Sequence, residues 1–164
     1  MSTSVLQFLD RTATRGSWYG GGSAAALTAA TAAALLEKLA SRPALARSIR
    51  VLRGRCVAAI DGDAQAFARV IKAYYQQDRG AVKRTLKRAI EVPVSVHHTA
   101  SRLLALAREV KRSVPSKYQS DLRCVVAMAT AARDSAAALV ATNLDWLADA
   151  KHARRVRKQL ARPA

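Results

Sequence analysis

Three groups of residues have the types and spacing to do chemistry. The first is Gly20-Gly21-Gly22-Ser23, which runs directly into Ala24-Ala25-Ala26-Leu27 and an alanine-rich stretch to Ala40. Glycines let the backbone turn sharply and leave its N–H groups uncovered. A serine ahead of strong helix formers suits an N-cap. A helix that starts this way aims free N–H donors and the positive end of its dipole at whatever lies in front of it. That is a seat for an anionic or carbonyl-bearing ligand, although glycine turns of this kind also occur as plain helix entries.

The second group is two carboxylates, Asp63 and Asp121. At about 100° per residue, Asp63 falls inside the apolar stripe Leu45, Ile49, Leu52, Cys56, Ile60, Phe67, Val70 and Tyr74, whereas Asp61 falls outside it. Asp121 and Asn143 fall on the stripe Tyr118, Val125, Ala129, Ala132, Ala136, Val140 and Leu147, with Asp134 and Asp145 pointing away. A core-facing carboxylate pairs with a buried arginine, caps backbone groups, or holds its proton to higher pH. In a pocket it can act as a general base. The expectation is that the two aspartates converge with the glycines, Asp63 as the preferred base and Asp121 second. Asp121 and Asn143 are 22 residues apart, about 33 Å along one helix, so they cannot share a pocket of one chain unless that helix breaks.

The third group is weaker. His97 and His98 have no His, Cys or acidic partner at a ligand spacing, and no metal is expected. Cys56 and Cys124 lie within helical patterns and read as buried thiols rather than a disulfide. No Lys-Ser/Thr follows the glycines, so there is no P-loop.

These residues must be held by helices. The chain has 164 residues, 51% hydrophobic but only 5% aromatic, which favours helices packed through alanine over sheets. The periodicity predicts a short helix from Ser4 to Ala13, a second from Ser23 to Ala40 and a third from Ala44 to Gln77, with Pro43 in its first turn. A fourth starts near Ala81, is kinked or broken at Pro93 and resumes through Val96, Ala100, Leu103, Leu104, Ala107 and Val110. A fifth runs from Lys117 to Ala148. The fold class is all-α: a bundle of five to six helices, two or three of them long and antiparallel. Residues 1–150 form one domain and 151–164 a basic C-terminal extension.

The formal charge is +17, from 28 Lys and Arg against 11 acids. Such a field attracts nucleic acid, anionic surfaces or ligands with several carboxylates. Lys83, Arg84, Lys87 and Arg88 form a basic helix face, yet no aromatic residues interleave with the basic clusters as single-strand binders require. Nucleic acid is therefore a secondary partner. Neither a signal peptide at Met1-Ser2-Thr3-Ser4 nor a transmembrane segment is recognisable, and a cytoplasmic protein is expected, with no membrane partner.

In order along the chain, Gly20-Gly21-Gly22-Ser23-Ala24-Ala25-Ala26, Ile60-Asp61-Gly62-Asp63-Ala64-Gln65-Ala66-Phe67, Val92-Pro93, Ser120-Asp121 and Ala141-Thr142-Asn143-Leu144 resemble the formiminotransferase-cyclodeaminase C-terminal family. That family includes stand-alone methenyltetrahydrofolate cyclohydrolases. The likeness extends from Leu6 to Leu147. It implies a helical homodimer with a folate cleft beside the glycines, and a tetrahydrofolate derivative as substrate. The implied reaction is hydrolysis of 5,10-methenyltetrahydrofolate to the 10-formyl form, or closure of 5-formiminotetrahydrofolate with loss of ammonia. Asp63 and Asp121 would be catalytic, and Gly20, Gly21, Gly22, Ser23, Ser120 and Asn143 would bind the ligand. The chain departs from the family pattern at Trp18-Tyr19 ahead of the glycines, at Ser41-Arg42-Pro43, and at Leu139, where an asparagine is usual.

Overall fold

The structure is a computed structural model that describes residues 4–162; the first three residues of the expected N-terminal reading and the last two of the basic extension lie outside it. Six α-helices and one 3-10 turn follow in order: α1 (Val5–Ala13), α2 (Gly21–Leu39), α3 (Pro43–Tyr75), α4 (Arg79–Val110), the 3-10 turn Ser116–Tyr118, α5 (Gln119–Leu147) and α6 (Ala150–Leu160). No strand forms among the described residues.

Short connections make α2 to α5 an antiparallel up-and-down bundle. Contacts between named residues set the register. Ser23 of α2 meets Ile60 of α3, and at the other end Glu37 meets Arg50 and Arg53. Gly21 faces Leu139 of α5, while Lys38 meets Asp121. The core has three layers along this axis. Leu36, Ile49, Leu103 and Val125 fill one end. Ala26, Ala29, Cys56, Ala100 and Ala132 fill the middle. Val70, Leu86, Ile90, Val140 and Leu144 fill the other end. Alanines in the middle layer allow close helix packing, and their burial is the use to which the alanine-rich composition is put.

Local signals explain most boundaries. Ser4 accepts from the Gln7 N–H while Gln7 accepts from the Ser4 N–H, a complete capping box. Asp78 and Asp149 cap α4 and α6 through the N–H groups of Ala81 and His152. Pro43 opens α3 as expected.

Several expectations are corrected. Pro93 does not break its helix: α4 is helical from Arg79 to Val110, with Pro93 buried. Packing on both sides of Pro93, through Ile90, Val94 and Val96, offsets the loss of one N–H donor. Cys124 is exposed rather than buried. In α1 only Phe8 is buried, and Val5, Leu6 and Leu9 remain exposed. Phe67 and Tyr74 continue the α3 stripe in sequence but are exposed. The reason is length. α3 has 33 residues and α2 only 19, so beyond Asp63 no α2 remains to cover α3.

The segment from Ser116 to Leu147 is long and apolar enough by length and composition to cross a membrane. In the bundle, one face of it is core: Val125, Ala129, Ala132, Ala136 and Val140 are buried. The last helix, α6, packs Val156 into the layer formed by Leu86 and Ile90.

Candidate active site at the start of α2

Helix α2 begins level with Asp63 of α3 and Leu139 of α5, and both neighbours continue past it. α3 runs on for a further 12 residues to Tyr75, about 18 Å. The result is a notch. Its floor is the N-terminal end of α2 and its sides are α3 and α5, whose onward turns pack through the buried layer of Val70 and Val140.

The glycines occupy the floor, though not as expected. Gly20 is the N-cap, in an extended conformation with no side-chain cap. Gly21 and Gly22 are already helical, and the first helical hydrogen bond runs from the Ala24 N–H to the Gly20 carbonyl. Ser23 is therefore not a cap. It is fully buried in the first turn, and its hydroxyl donates to the Ile60 carbonyl at 2.8 Å, which ties α2 to α3. The N–H groups of Gly21, Gly22 and Ser23 precede the helical ladder, so the donors expected at this position exist.

Asp63 sits directly on that floor. A Cβ added to Gly22 would overlap its carboxylate, contacting Oδ1, Cγ and Oδ2 together. Burial of the half-buried Asp63 raises its pKa above the usual carboxylate range, and the N–H of Ser23 opposes the rise without cancelling it. The hydroxyl has one proton, and the 2.8 Å geometry commits it to Ile60. Gly21 has looser surroundings: a Cβ there would meet Leu139 at an ordinary 3.6 Å. Leu139, one of the departures from the family pattern, thus faces the glycine floor. Asn143 lies one turn beyond it on α5 and is half-buried.

The sequence placed Phe67 and Tyr74 in the core, set Trp18 just ahead of the glycines and left Trp146 unassigned; all four are exposed and pair two by two along the rim of the notch. Trp18 meets Phe67 edge-on at 6.1 Å between ring centroids. Tyr74 meets Trp146 at 6.4 Å, from α3 to α5. The signal that could have revealed this rim is the mismatch in helix lengths, which leaves the ends of the α3 and α5 stripes without a partner. Tyr19 anchors the approach. Its hydroxyl donates to Asp61 at 2.7 Å and accepts from Arg11 at 3.1 Å, so Asp61 serves the loop and not the notch. The bond to Asp61 raises the Tyr19 pKa.

Asp121 does not converge with Asp63. It lies at the opposite end of α2, ion-paired with Lys38 at 3.0 Å, and Ser120 is exposed beside it. Gly22 and Lys38 are 16 residues apart on α2, about 24 Å. Asp63 is half-buried as its stripe position requires, whereas Asp121 is a third exposed in its pair with the exposed Lys38; periodicity does not say at which end of the neighbouring helix each lands. Among the described residues, no group of three or more His, Cys, Asp or Glu comes together to hold a metal.

The family model for formiminotransferase-cyclodeaminase matches residues 4–162. A crystal structure of formiminotetrahydrofolate cyclodeaminase from Thermotoga maritima superimposes with a TM-score of 0.89 at 22% identity, covering 96% of this chain and 86% of that one. It is similar in fold. A search of curated proteins finds no match. The family match spans nearly the whole sequence, including the glycine floor and Asp63, and the chain belongs to the formiminotransferase-cyclodeaminase family.

Proposed function

We propose that the notch binds a folate one-carbon derivative and that Asp63 is its acid–base group. The observation that carries this is the Asp63 carboxylate, half-buried against Gly22 at the start of α2 with its proton held to higher pH than usual. Membership of a family that includes formiminotransferase-cyclodeaminase supports the substrate class. Both candidate reactions act on one electron-poor carbon on N5, which the methenyl form also bonds to N10. In hydrolysis, Asp63 takes a proton from water as the water oxygen bonds to that carbon. Asp63 then gives that proton to N5 as the C–N5 bond breaks, and the new hydroxyl releases its own proton to solvent to leave the 10-formyl product. In cyclisation, N10 attacks the formimino carbon and its proton passes to the imino nitrogen; a second proton, from the Asp63 carboxyl, lets that nitrogen depart as ammonia and leaves the methenyl bridge. A carboxyl group with an elevated pKa suits either direction of transfer. The exposed aromatic rim, with Trp18 and Phe67 in edge contact, offers apolar surface to a fused-ring ligand, and the α2 N–H groups suit a carbonyl or carboxylate.

Loss of methenyltetrahydrofolate absorbance with purified protein, and ammonia release from the formimino substrate, test this reading. Asp63→Asn is expected to lower the rate by about 10²–10⁴-fold. No turnover of either substrate, or an unchanged rate in Asp63→Asn, overturns it.

A homodimer is part of the proposal, and a cytoplasmic location goes with it. Support for the dimer comes from exposed apolar surface: Val5, Leu6 and Leu9 on α1, and Val126 with exposed Ala127 and Ala131 on α5. Light scattering of the full chain checks it. A second reading, binding of nucleic acid without turnover, is favoured by the +17 charge. It predicts affinity that falls steeply with salt.

A further inference from the structure

A cavity of about 570 Å³ lies between α3, α4 and α6, and none of the residues proposed for the folate site lines it. Its floor is apolar, from Ile90, Val94 and Val156. Its walls are cationic: Arg55 from α3, Lys87 and Arg102 from α4, and Arg155 from α6, against one lining carboxylate, Glu91. Lys87 is engaged by Asp149 at 2.8 Å. Among the described residues, no salt bridge joins Arg55, Arg102 or Arg155 to an acid.

His152 gives this cavity its chemistry. The residue is only 9% exposed and lines the cavity from α6. Arg155 Nη2 lies 2.9 Å from His152 Nδ1. A guanidinium can only donate, so Nδ1 is the acceptor and Nε2 carries the ring proton. That Nε2 is buried and has no hydrogen-bond partner. A buried donor without an acceptor costs free energy that a suitable ligand oxygen would recover.

We propose that this cavity is a binding site for a phosphorylated small molecule, with the phosphoryl group held by His152 Nε2–H, Arg55 and Arg102. Donors approach from three helices, an arrangement that matches the three terminal oxygens of a tetrahedral dianion better than the two of a planar carboxylate. The organic part has room. A second groove of about 530 Å³ shares Leu52, Arg55 and Arg102 with the cavity and continues along α3 and α4 toward Arg42. The site does not rest on the folate reading, because its residues are separate.

The test is titration of the full chain with pyrophosphate, followed by calorimetry and by the assigned side-chain nitrogen resonances of His152, with tricarballylate as a carboxylate control. Saturable binding is expected, with a shift at His152 Nε2 and an affinity lowered about tenfold or more in Arg55→Gln and in Arg102→Gln. Both arginines are exposed, and thermal unfolding confirms that each variant is folded. The wild-type His152 shift needs no variant at all. An unsaturable response, or no shift at His152, overturns the site. Equal binding of tricarballylate overturns the phosphoryl assignment.

Discussion

Gly22 and Asp63 occupy each other's space: the carboxylate fills the volume that any side chain at position 22 would need. Two helices are locked in register by this contact, and the acid is pressed against the N-terminal turn of α2. Gly22→Ala is expected to destabilise the protein by about 1–3 kcal/mol, as overpacking does, and to displace Asp63. Gly21→Ala, whose Cβ would touch only Leu139 at 3.6 Å, is expected to stay within about 0.5 kcal/mol of wild type. Urea unfolding of the pair checks this, and equal losses would contradict it.

Asp63 also makes stability depend on pH. Burial raises its folded pKa above that of an ordinary aspartate. The folded state therefore holds the proton where the unfolded chain has released it, and stability falls as pH rises from the unfolded pKa through the folded one. Asp63→Asn is expected to flatten that component. Thermal unfolding of both proteins across the acid range measures it; parallel curves would mean that burial does not tune this group.

The junction of α5 and α6 is expected to behave in the opposite sense. The hydrogen bond from Lys87, and after it that from the His152 N–H, lower the Asp149 pKa to about 2. Its contribution is present above the unfolded pKa and is lost as pH falls through about 2. Asp149→Ala removes both the α6 cap and the tie to α4. The α6 amides are then expected to exchange faster near neutral pH, with less difference from wild type in strong acid. Hydrogen exchange of α6 is the measurement.

The two thiols should differ sharply in reactivity. Burial pushes the Cys56 thiol up to about 11 and hides it in the alanine layer, whereas Cys124 is exposed on α5. A thiol reagent near neutral pH is expected to modify Cys124 alone in the folded protein and both residues after unfolding. Rapid native modification of Cys56 would show that the middle layer opens.

Much of the architecture is legible in residue order. Helical periodicity and alanine content specify the α-class, because side chains three and four positions apart must share a face whatever the partner. The stripes through Val125 to Val140 and Val96 to Val110 are buried as their spacing requires. Asp63 faces inward and Asp61 outward for the same reason. Periodicity reports direction around an axis but carries no information about position along a neighbouring helix. Only the tertiary structure decided that α2 starts level with Asp63, which leaves Phe67 and Tyr74 uncovered and makes a notch. The same register sent Asp121 to the far end, beside Lys38. Proline's cost at position 93 and serine's preference for a cap are local tendencies of about 1–3 kcal/mol, and packing overrode both. The glycines were visible from the start; that Gly22 must be glycine follows from the aspartate 41 positions away.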